Sequence, residues 1–504
     1  MGSTSVRMLV AEMDAEENVR PLEALHKPVN LGRDVFATGT ISEQTTEECV
    51  RALRGFRRVL EEYGIVKAGR LRAVATSAVR EASNSEVFLD RVYIATGISV
   101  ETIDEAEENR CIYLSVQRFL SNRSMLPNPL TLVVEVGGGS TEMLAVQGRQ
   151  VISSHMYRLG AYRVRQAVEE GDEPSVRHLE MLESQIQRTV EQIQRSIAHK
   201  GRPNLLTIGG DIRFAAAQLV PGWNRQDLVK ISVAQLSKLT QEILPGSVDA
   251  LVRDYQLSYG DAETLGPALL AYVRMATAFK LRHIVVTGET MRDGLLIEMT
   301  QKNAWSTEFQ EQIVSSAIEI GHKYDFDQRH GEHVANLALA LFRALQEEHR
   351  LGPRHEFILR IAALLHEIGL FIGNRGHHKH SLYLIRNSNI FGFGARDTLL
   401  TALVARYHRR ASPKQTHSDY TSLDRESRAV VLKLAAILRV ADAFDRSHIQ
   451  RFRSIEIDVE RDRVLITVPS IPDLSLENAA LRQKADLFHQ VYGKSIVLRK
   501  KRKV

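Results

Sequence analysis

Three apolar strands in this chain run straight into glycine, and no other feature constrains its fold as much. Thr131-Leu132-Val133-Val134-Glu135-Val136 runs into Gly137-Gly138-Gly139. Asn204-Leu205-Leu206-Thr207-Ile208 runs into Gly209-Gly210, and His283-Ile284-Val285-Val286-Thr287 into Gly288. Leu71 to Ala75 reads as a further buried strand. Short continuous apolar runs mark strands covered on both faces. Long helical patterns separate them, from Val176 to His199 and from Ala262 to Phe279. Strands alternating with helices predict an α/β architecture.

The start of the chain echoes one of these junctions. Gly2-Ser3-Thr4-Ser5-Val6-Arg7-Met8-Leu9-Val10 resembles Gly139-Ser140-Thr141-Glu142-Met143-Leu144-Ala145-Val146, about one domain length away. A repeat at that distance predicts two similar halves facing each other, although a short string of small residues also recurs by chance.

The pattern changes between Gln301 and Phe309. Ile313 to Leu345, Phe357 to Leu370, Thr398 to Tyr407 and Val430 to Phe444 all carry helical apolar spacing. From Arg451 it changes again. Ser454 to Val459 alternates as a half-buried strand does, Arg463 to Val468 follows across a polar turn, Leu476 to Val491 reads as an amphipathic helix, and Ser495 to Leu498 as a closing strand.

At 504 residues and 44% hydrophobic, the chain is long enough for several cores. No run of 18 apolar residues occurs, so no membrane span is expected. Two cysteines, Cys49 and Cys111, exclude a disulfide framework and a thiolate zinc site, and predict a reducing, cytoplasmic location. The net charge is +5, and the tail from Arg499 to Lys503 carries five positive charges, as either a polyanion contact or a solvated end.

Glu135 to Glu142 is the most informative stretch. A strand ends in a carboxylate, and a glycine loop, two hydroxyls and a second carboxylate follow. Glycines let backbone N–H groups approach an anion closely. Ser140 and Thr141 add donors, and Glu135 and Glu142 offer oxygens to a hydrated Mg²⁺. Glycines after a strand also form a plain hairpin turn. There is no Gly-x-x-x-x-Gly-Lys-Ser/Thr for a P-loop, and no Gly-x-Gly-x-x-Gly after a strand for a dinucleotide site. In Ala75-Thr76-Ser77-Ala78-Val79-Arg80-Glu81-Ala82, Arg80 presents a fork suited to phosphate, or a helix-surface charge. Asp104 to Arg110 is an acidic helix start, which either complements the macrodipole or supplies a general base.

Taken in this order, the clusters resemble the exopolyphosphatase and guanosine-pentaphosphate phosphatase family. The matching pieces are Gly2 to Ser5, Ala75 to Ala82, Glu107 to Arg110, Glu135 to Glu142, Gly209-Gly210 and Arg292-Asp293-Gly294. The resemblance implies duplicated actin-like (ribonuclease H-like) α/β domains, at 1–125 and 126–303. An all-α HD-like domain at 304–448 and a small α+β unit at 449–504 follow. It implies a Mg²⁺-dependent hydrolase that removes terminal phosphate from polyphosphate or guanosine pentaphosphate, acting as a homodimer. Glu108 would be the base and Arg80 a charge clamp. Gly2, Ser3, Thr4, Ser5, Arg7, Gly137, Gly138, Gly139, Ser140, Thr141, Gly209 and Gly210 would hold phosphate.

The chain departs from the family at four places. The Asp before the first loop is absent, with most of its strand, so the reading frame is expected to extend upstream of Met1 and the first loop is otherwise expected to be poorly anchored. Glu135 stands for Asp, Asn109 for Ala beside Glu108, and Asp211 for Thr after Gly209-Gly210. These departures keep open a non-catalytic sensor of polyphosphate or alarmone.

In the helical region, His330, His366-Glu367 and Asp442 follow the order of the HD phosphohydrolases and form a candidate metal set, with His377 or His408 adding imidazoles. Packed histidines explain the same residues. Arg375, Lys379, Arg386, Arg396, Arg406, Arg409, Arg410 and Lys414 suit a long polyanion or a solvated helix face. Aromatic interleaving is thin, which favours polyphosphate over nucleic acid.

Overall fold

The computed structural model describes residues 1–14, 19–65, 70–169, 175–197, 202–300, 307–452, 455–468 and 473–500. The junction near 301–306 and the last basic residues, 501–504, lie outside these. The chain divides into two compact units, Met1–Ala304 and Trp305–Val504, a coarser division than the four-way one read from the sequence.

The first unit holds ten strands among the described residues: β1 (Ser5–Met13), β2 (Val19–Pro28), β3 (Ala73–Ala75), β4 (Val100–Thr102), β5 (Leu130–Val136), β6 (Thr141–Gln147), β7 (Gln150–Tyr157), β8 (Asn204–Ile208), β9 (Val229–Ser232) and β10 (His283–Val286). Six of them form one sheet in the order β7-β6-β5-β8-β10-β9. β5 is antiparallel to β6 and parallel to β8, and β8 is parallel to β10. The parallel steps need crossover helices. Helices Ser175–Ile197, Gly210–Leu219 and Tyr259–Ala278 supply apolar faces, and Val134, Ile186, Val190, Ile212 and Leu269 meet in one buried core.

The first four strands form two separate pairs. β1 pairs antiparallel with β2, and β3 pairs parallel with β4. β1 and β3 each have a single ladder neighbour, and both line one cavity of about 330 Å³ together with Phe56 and Leu295. Met1 lies at its β3 side: its amine donates to the Val74 carbonyl (2.5 Å), and Thr76 N–H donates to the Met1 carbonyl (3.1 Å).

The second unit is mainly helical. The continuous pattern from Ile313 to Leu345 breaks into Thr307–Lys323 and Gln328–Ala344, with Asp325 left-handed (φ 49°) between them. Helices Pro353–Leu365, His377–Arg386, Ala395–Arg406 and Arg425–Phe444 pack in the same unit. The terminal strands are β11 (Glu456–Val459), β12 (Arg463–Val468) and β13 (Ser495–Lys500), in the order β11-β12-β13. The expected helix from Leu476 to Val491 is two, Ser475–Lys484 and Asp486–Tyr492, and both pack against Arg425–Phe444. Of the basic residues singled out above, Arg386 and Arg396 pair with Asp419 and Asp424, as charges on a helix face do.

Candidate active site

The loop after β5 forms a hairpin turn and also faces the first glycine loop. Gly137 N–H donates to the Ser140 carbonyl (2.8 Å), closing the turn of a β5–β6 hairpin. The same turn faces the loop Gly2–Ser5. A Cβ on Gly138 would lie 3.2 Å from the Ser3 Cβ, and one on Gly139 would lie 2.5 Å from the Ser77 Oγ. Only glycine permits that approach.

The first loop is firmly tied, against expectation. Gly32 N–H donates to the Ser3 carbonyl (2.7 Å) and Val29 N–H to the Thr4 carbonyl (3.0 Å). Gly32 is in the first turn of helix Leu31–Thr38, and Val29 is the residue before its N-cap, Asn30. The second loop is held in the same way: Ala161 and Tyr162, at the start of helix Ala161–Glu169, donate to the Gly137 and Gly138 carbonyls at 2.9 and 3.0 Å.

Among the carboxylates that line the cavity, Glu108, Glu135 and Glu142 act on one another, and Asp211 and Asp261 line it as well. The turn sets a register in which Glu135 is directly opposite Glu142, so both point to one face. Glu108 comes from helix Glu105–Val116. There Asp104 accepts from Ala106 and Glu107 N–H (both 3.0 Å), and Glu107 reaches back to Asp104 N–H (3.3 Å). This reciprocal cap is the ordinary use of the acidic run. One position on, Glu108 turns inward and is only 5% exposed. Burial raises its pKa to about 7, and Glu135 and Glu105 add to the rise against the pull of Arg80. Glu142 is raised well above the usual carboxylate range by burial, then by Glu108 and Glu135. Burial also raises Glu135. Ser140 donates to Glu142.

Such a set resists full ionisation unless a cation lies among the oxygens. The donors are all oxygen, which fits a hard divalent ion such as Mg²⁺.

Opposite charge converges from other elements. Burial lowers the pKa of Arg292 to about 10, helped by Arg7 and Arg213, and all three act on Glu135. Arg7 Nε donates to the Ser5 Oγ (2.9 Å), and its Nη2 lies 3.7 Å from Asp261. Asp211 is raised to about 7 by burial and by Asp261, and accepts from the Thr264 hydroxyl (3.2 Å). A carboxylate there would repel a phosphate, and proton uptake by Asp211 reduces that repulsion.

Gly2 to Ser5, Arg7, Glu108, Glu135, Gly137 to Ser140, Glu142, Gly209 and Gly210, all singled out in the sequence, line this one cavity. Two assignments change. Thr141 is fully buried and donates to the Leu159 carbonyl, because strand alternation turns it away from the face that carries Glu142. Arg80 pairs with Glu108 and donates to the Ile103 carbonyl (2.6 Å), so it holds the carboxylate and does not line the cavity. Arg213 was missed and Arg292 was given no role. Each sits in the first turn of a helix, Gly210–Leu219 and Met291–Thr300, where a cation opposes the macrodipole. That local conflict was the available signal.

Helix Met291–Thr300 also sets where Glu108 stands. A Cβ on Gly294 would lie 1.8 Å from the Cys111 carbonyl oxygen, so the two helices touch backbone to backbone. Glu298 ties them further, pairing with Arg110 and with Arg72.

In the second unit, His330, His366, Glu367 and Asp442 do come together, with one ligand atom from each within 4.8 Å of the others. Lys484 donates to the Asp442 Oδ2.

Comparison with known proteins shows the family. The profile of the Ppx/GppA phosphatase family matches residues 9–303, and that of domain III of the same family matches 314–489. A guanosine-5'-triphosphate,3'-diphosphate pyrophosphatase of Photobacterium profundum is 22% identical over 488 residues, covering 96% of this chain and 94% of that protein. The protein of that name from Aeromonas hydrophila is 25% identical over 479 residues, covering 93% and 91%. The crystal structure of an exopolyphosphatase from Cytophaga hutchinsonii, 20% identical, covers 60% of this chain and 96% of that chain with a TM-score of 0.53, which shows a shared fold. The first unit is accordingly actin-like, as its strand order also indicates. No described helix is long and apolar enough to cross a membrane. With matches laid over both units, the chain belongs to the Ppx/GppA phosphatase family.

Proposed function

We propose that this chain is a phosphoric anhydride hydrolase that releases the terminal phosphate of inorganic polyphosphate, and also of guanosine pentaphosphate, by attack of a water activated at Glu108. The observation that carries the reading is one buried carboxylate with a pKa near 7, facing two other carboxylates and two opposed glycine loops. A base whose pKa lies near the working pH has a useful ionised fraction and still accepts a proton readily.

In this reading the amides and hydroxyls of Gly2–Ser5 and Gly137–Ser140 orient the terminal phosphoryl group. Arg7 and Arg292 neutralise charge on its oxygens, Arg213 acts on Glu135 behind them, and Arg80 fixes the Glu108 carboxylate. Glu108 takes a proton from water as the water oxygen bonds to phosphorus, and the bond from phosphorus to the bridging oxygen breaks. The shortened chain leaves as the anion. Glu135 and Glu142 would hold Mg²⁺, which supplies a positive charge to the phosphate oxygens when bound.

The same reading takes the chain to be a cytoplasmic homodimer with an HD-like helical unit. Polyphosphate comes first because basic residues gather in that unit; guanosine pentaphosphate stands beside it because the curated relatives carry that activity in their names.

The test is phosphate release with Mg²⁺ from long-chain polyphosphate and from guanosine pentaphosphate, for wild type and Glu108→Gln. The expected result is release from at least one substrate, lost about 10²–10⁴-fold in the variant. Tight binding without turnover would make the chain a sensor. Turnover untouched by Glu108→Gln would move the chemistry elsewhere.

A further inference from the structure

The second unit carries a donor set whose protons are already assigned by its own hydrogen bonds. His366 Nδ1 meets the Ala363 carbonyl (2.7 Å), His408 Nδ1 the Ala405 carbonyl (2.6 Å) and His377 Nδ1 the Asn374 carbonyl (3.2 Å). His330 Nδ1 meets the Asp445 Oδ2 (2.9 Å). A carbonyl or carboxylate oxygen accepts only, so each Nδ1 carries the proton and each neutral ring has a bare lone pair on Nε2. This is how metal-binding imidazoles are oriented by the groups behind them.

The four lone pairs converge. His330 and His366 are each 1% exposed, and their Nε2 atoms are buried without a hydrogen-bond partner. His330 Nε2 lies 3.7 Å from the Glu367 Oε2, and His366 Nε2 lies 3.8 Å from the Asp442 Oδ1. Lys484 takes the other oxygen of Asp442 and leaves Oδ1 turned to the imidazole. His377 Nε2 and His408 Nε2 face each other at 3.2 Å. With both Nδ1 atoms protonated, that contact sets lone pair against lone pair. It is repulsive unless a cation bonds to both, and a ring as buried as His408 (1% exposed) is poorly placed to become an imidazolium.

Two ligand groups result, and they share one residue. His330, His366, Glu367 and Asp442 form one; Glu367, His377 and His408 form the other, and in each the ligand atoms lie within 4.8 Å of one another. We propose that the helical unit holds a binuclear transition-metal centre, with one divalent ion on His330, His366 and Asp442, a second on His377 and His408, and Glu367 bridging them. Imidazole-rich sets select Mn²⁺, Fe²⁺, Co²⁺ or Zn²⁺ over Mg²⁺. His448, stacked on the His330 ring with its Nε2 3.6 Å from Glu367, is a further imidazole within reach. This goes beyond the reading of the first unit and does not depend on it.

The test uses the full chain, stripped with chelator and titrated with Co²⁺ in excess Mg²⁺, so that oxygen-only sites stay with Mg²⁺. Bound cobalt is read by elemental analysis and by the visible absorption of nitrogen-ligated Co²⁺. Two equivalents per chain are expected in wild type. His408→Gln and His330→Gln should each retain one, and Glu367→Gln should lose one and bind the other at least tenfold more weakly. The wild-type titration stands even if a variant fails to fold: saturation at one equivalent or none overturns the proposal. So does an unchanged count in folded variants.

Discussion

The two strand groups of the first unit perform the same task with different support. In the second group β5 sits between β6 and β8, and Leu132, Val133 and Val134 are fully buried. In the first group β1 and β3 flank a cavity, and each has one ladder neighbour. Yet both glycine loops are fastened alike, by backbone N–H groups at the start of the helix that follows each hairpin. In both groups those amides hold the loop in place. A helix start leaves N–H groups without intrahelical partners, and here they are spent on loop carbonyls.

The sharpest way to break this comparison is at the echoed glycines. Gly139→Ala puts a Cβ against Ser77 and Phe36 at 2.5 and 2.6 Å, whereas Gly2→Ala meets nothing nearer than 3.8 Å. Phosphate release should fall about 100-fold in the first variant, as for a displacement on the order of 1 Å, and stay within about twofold in the second. Similar losses in both would mean that the loops are equally packed.

Core truncation comes next. Leu132→Ala in β5 should cost about 3–4 kcal/mol, because the surrounding sheet collapses poorly around a new void. Met8→Ala in β1 should cost roughly half of that, since its side chain already borders a cavity. Denaturant melts of both variants measure the difference.

The carboxylates give a smaller, pH-linked effect. Glu108, from the first group, and Asp211, from the second, have folded pKa values near 7 against unfolded values of 4.5 and 3.8. Between those limits the folded chain holds protons that the unfolded chain has released, so stability falls as pH rises and is lowest above about 7. Thermal midpoints in chelator should fall from pH 5 to 8, and Asp211→Asn or Glu108→Gln should each flatten the slope. Mg²⁺ should raise the midpoint more at pH 8 than at pH 5. An equal gain at both values would separate the cation from these carboxylates.

Hydrogen exchange gives the finest measure. Amides of β3 should exchange faster than those of β5, because a short strand with one neighbour opens locally at lower cost.

Strands were legible where burial was two-sided. Asn204–Ile208 emerged with the boundaries read from its apolar run, and Leu130–Val136 differed by one residue. Strand β2 was not legible: its burial pattern is mostly exposed, so nothing apolar marks it. The split at Ala485 was hidden because its residues keep helical spacing on both sides. Among site residues, those in glycine–hydroxyl–carboxylate strings could be found locally. Arg213 and Arg292 could not be joined to them without knowing that distant helix starts converge on Glu135. Arg80 showed the reverse error, since its donor fork was legible but its acceptor, Glu108, was not.

The pairing of Glu135 with Glu142 makes the intervening turn a ruler. Its residues can change identity where space allows, but their number cannot. One residue added or removed between Gly137 and Ser140 would slip the register by one and carry one carboxylate through the sheet to the opposite face. Length variation in this hairpin would thus act as a switch on the acidic cluster even if every acidic residue were retained.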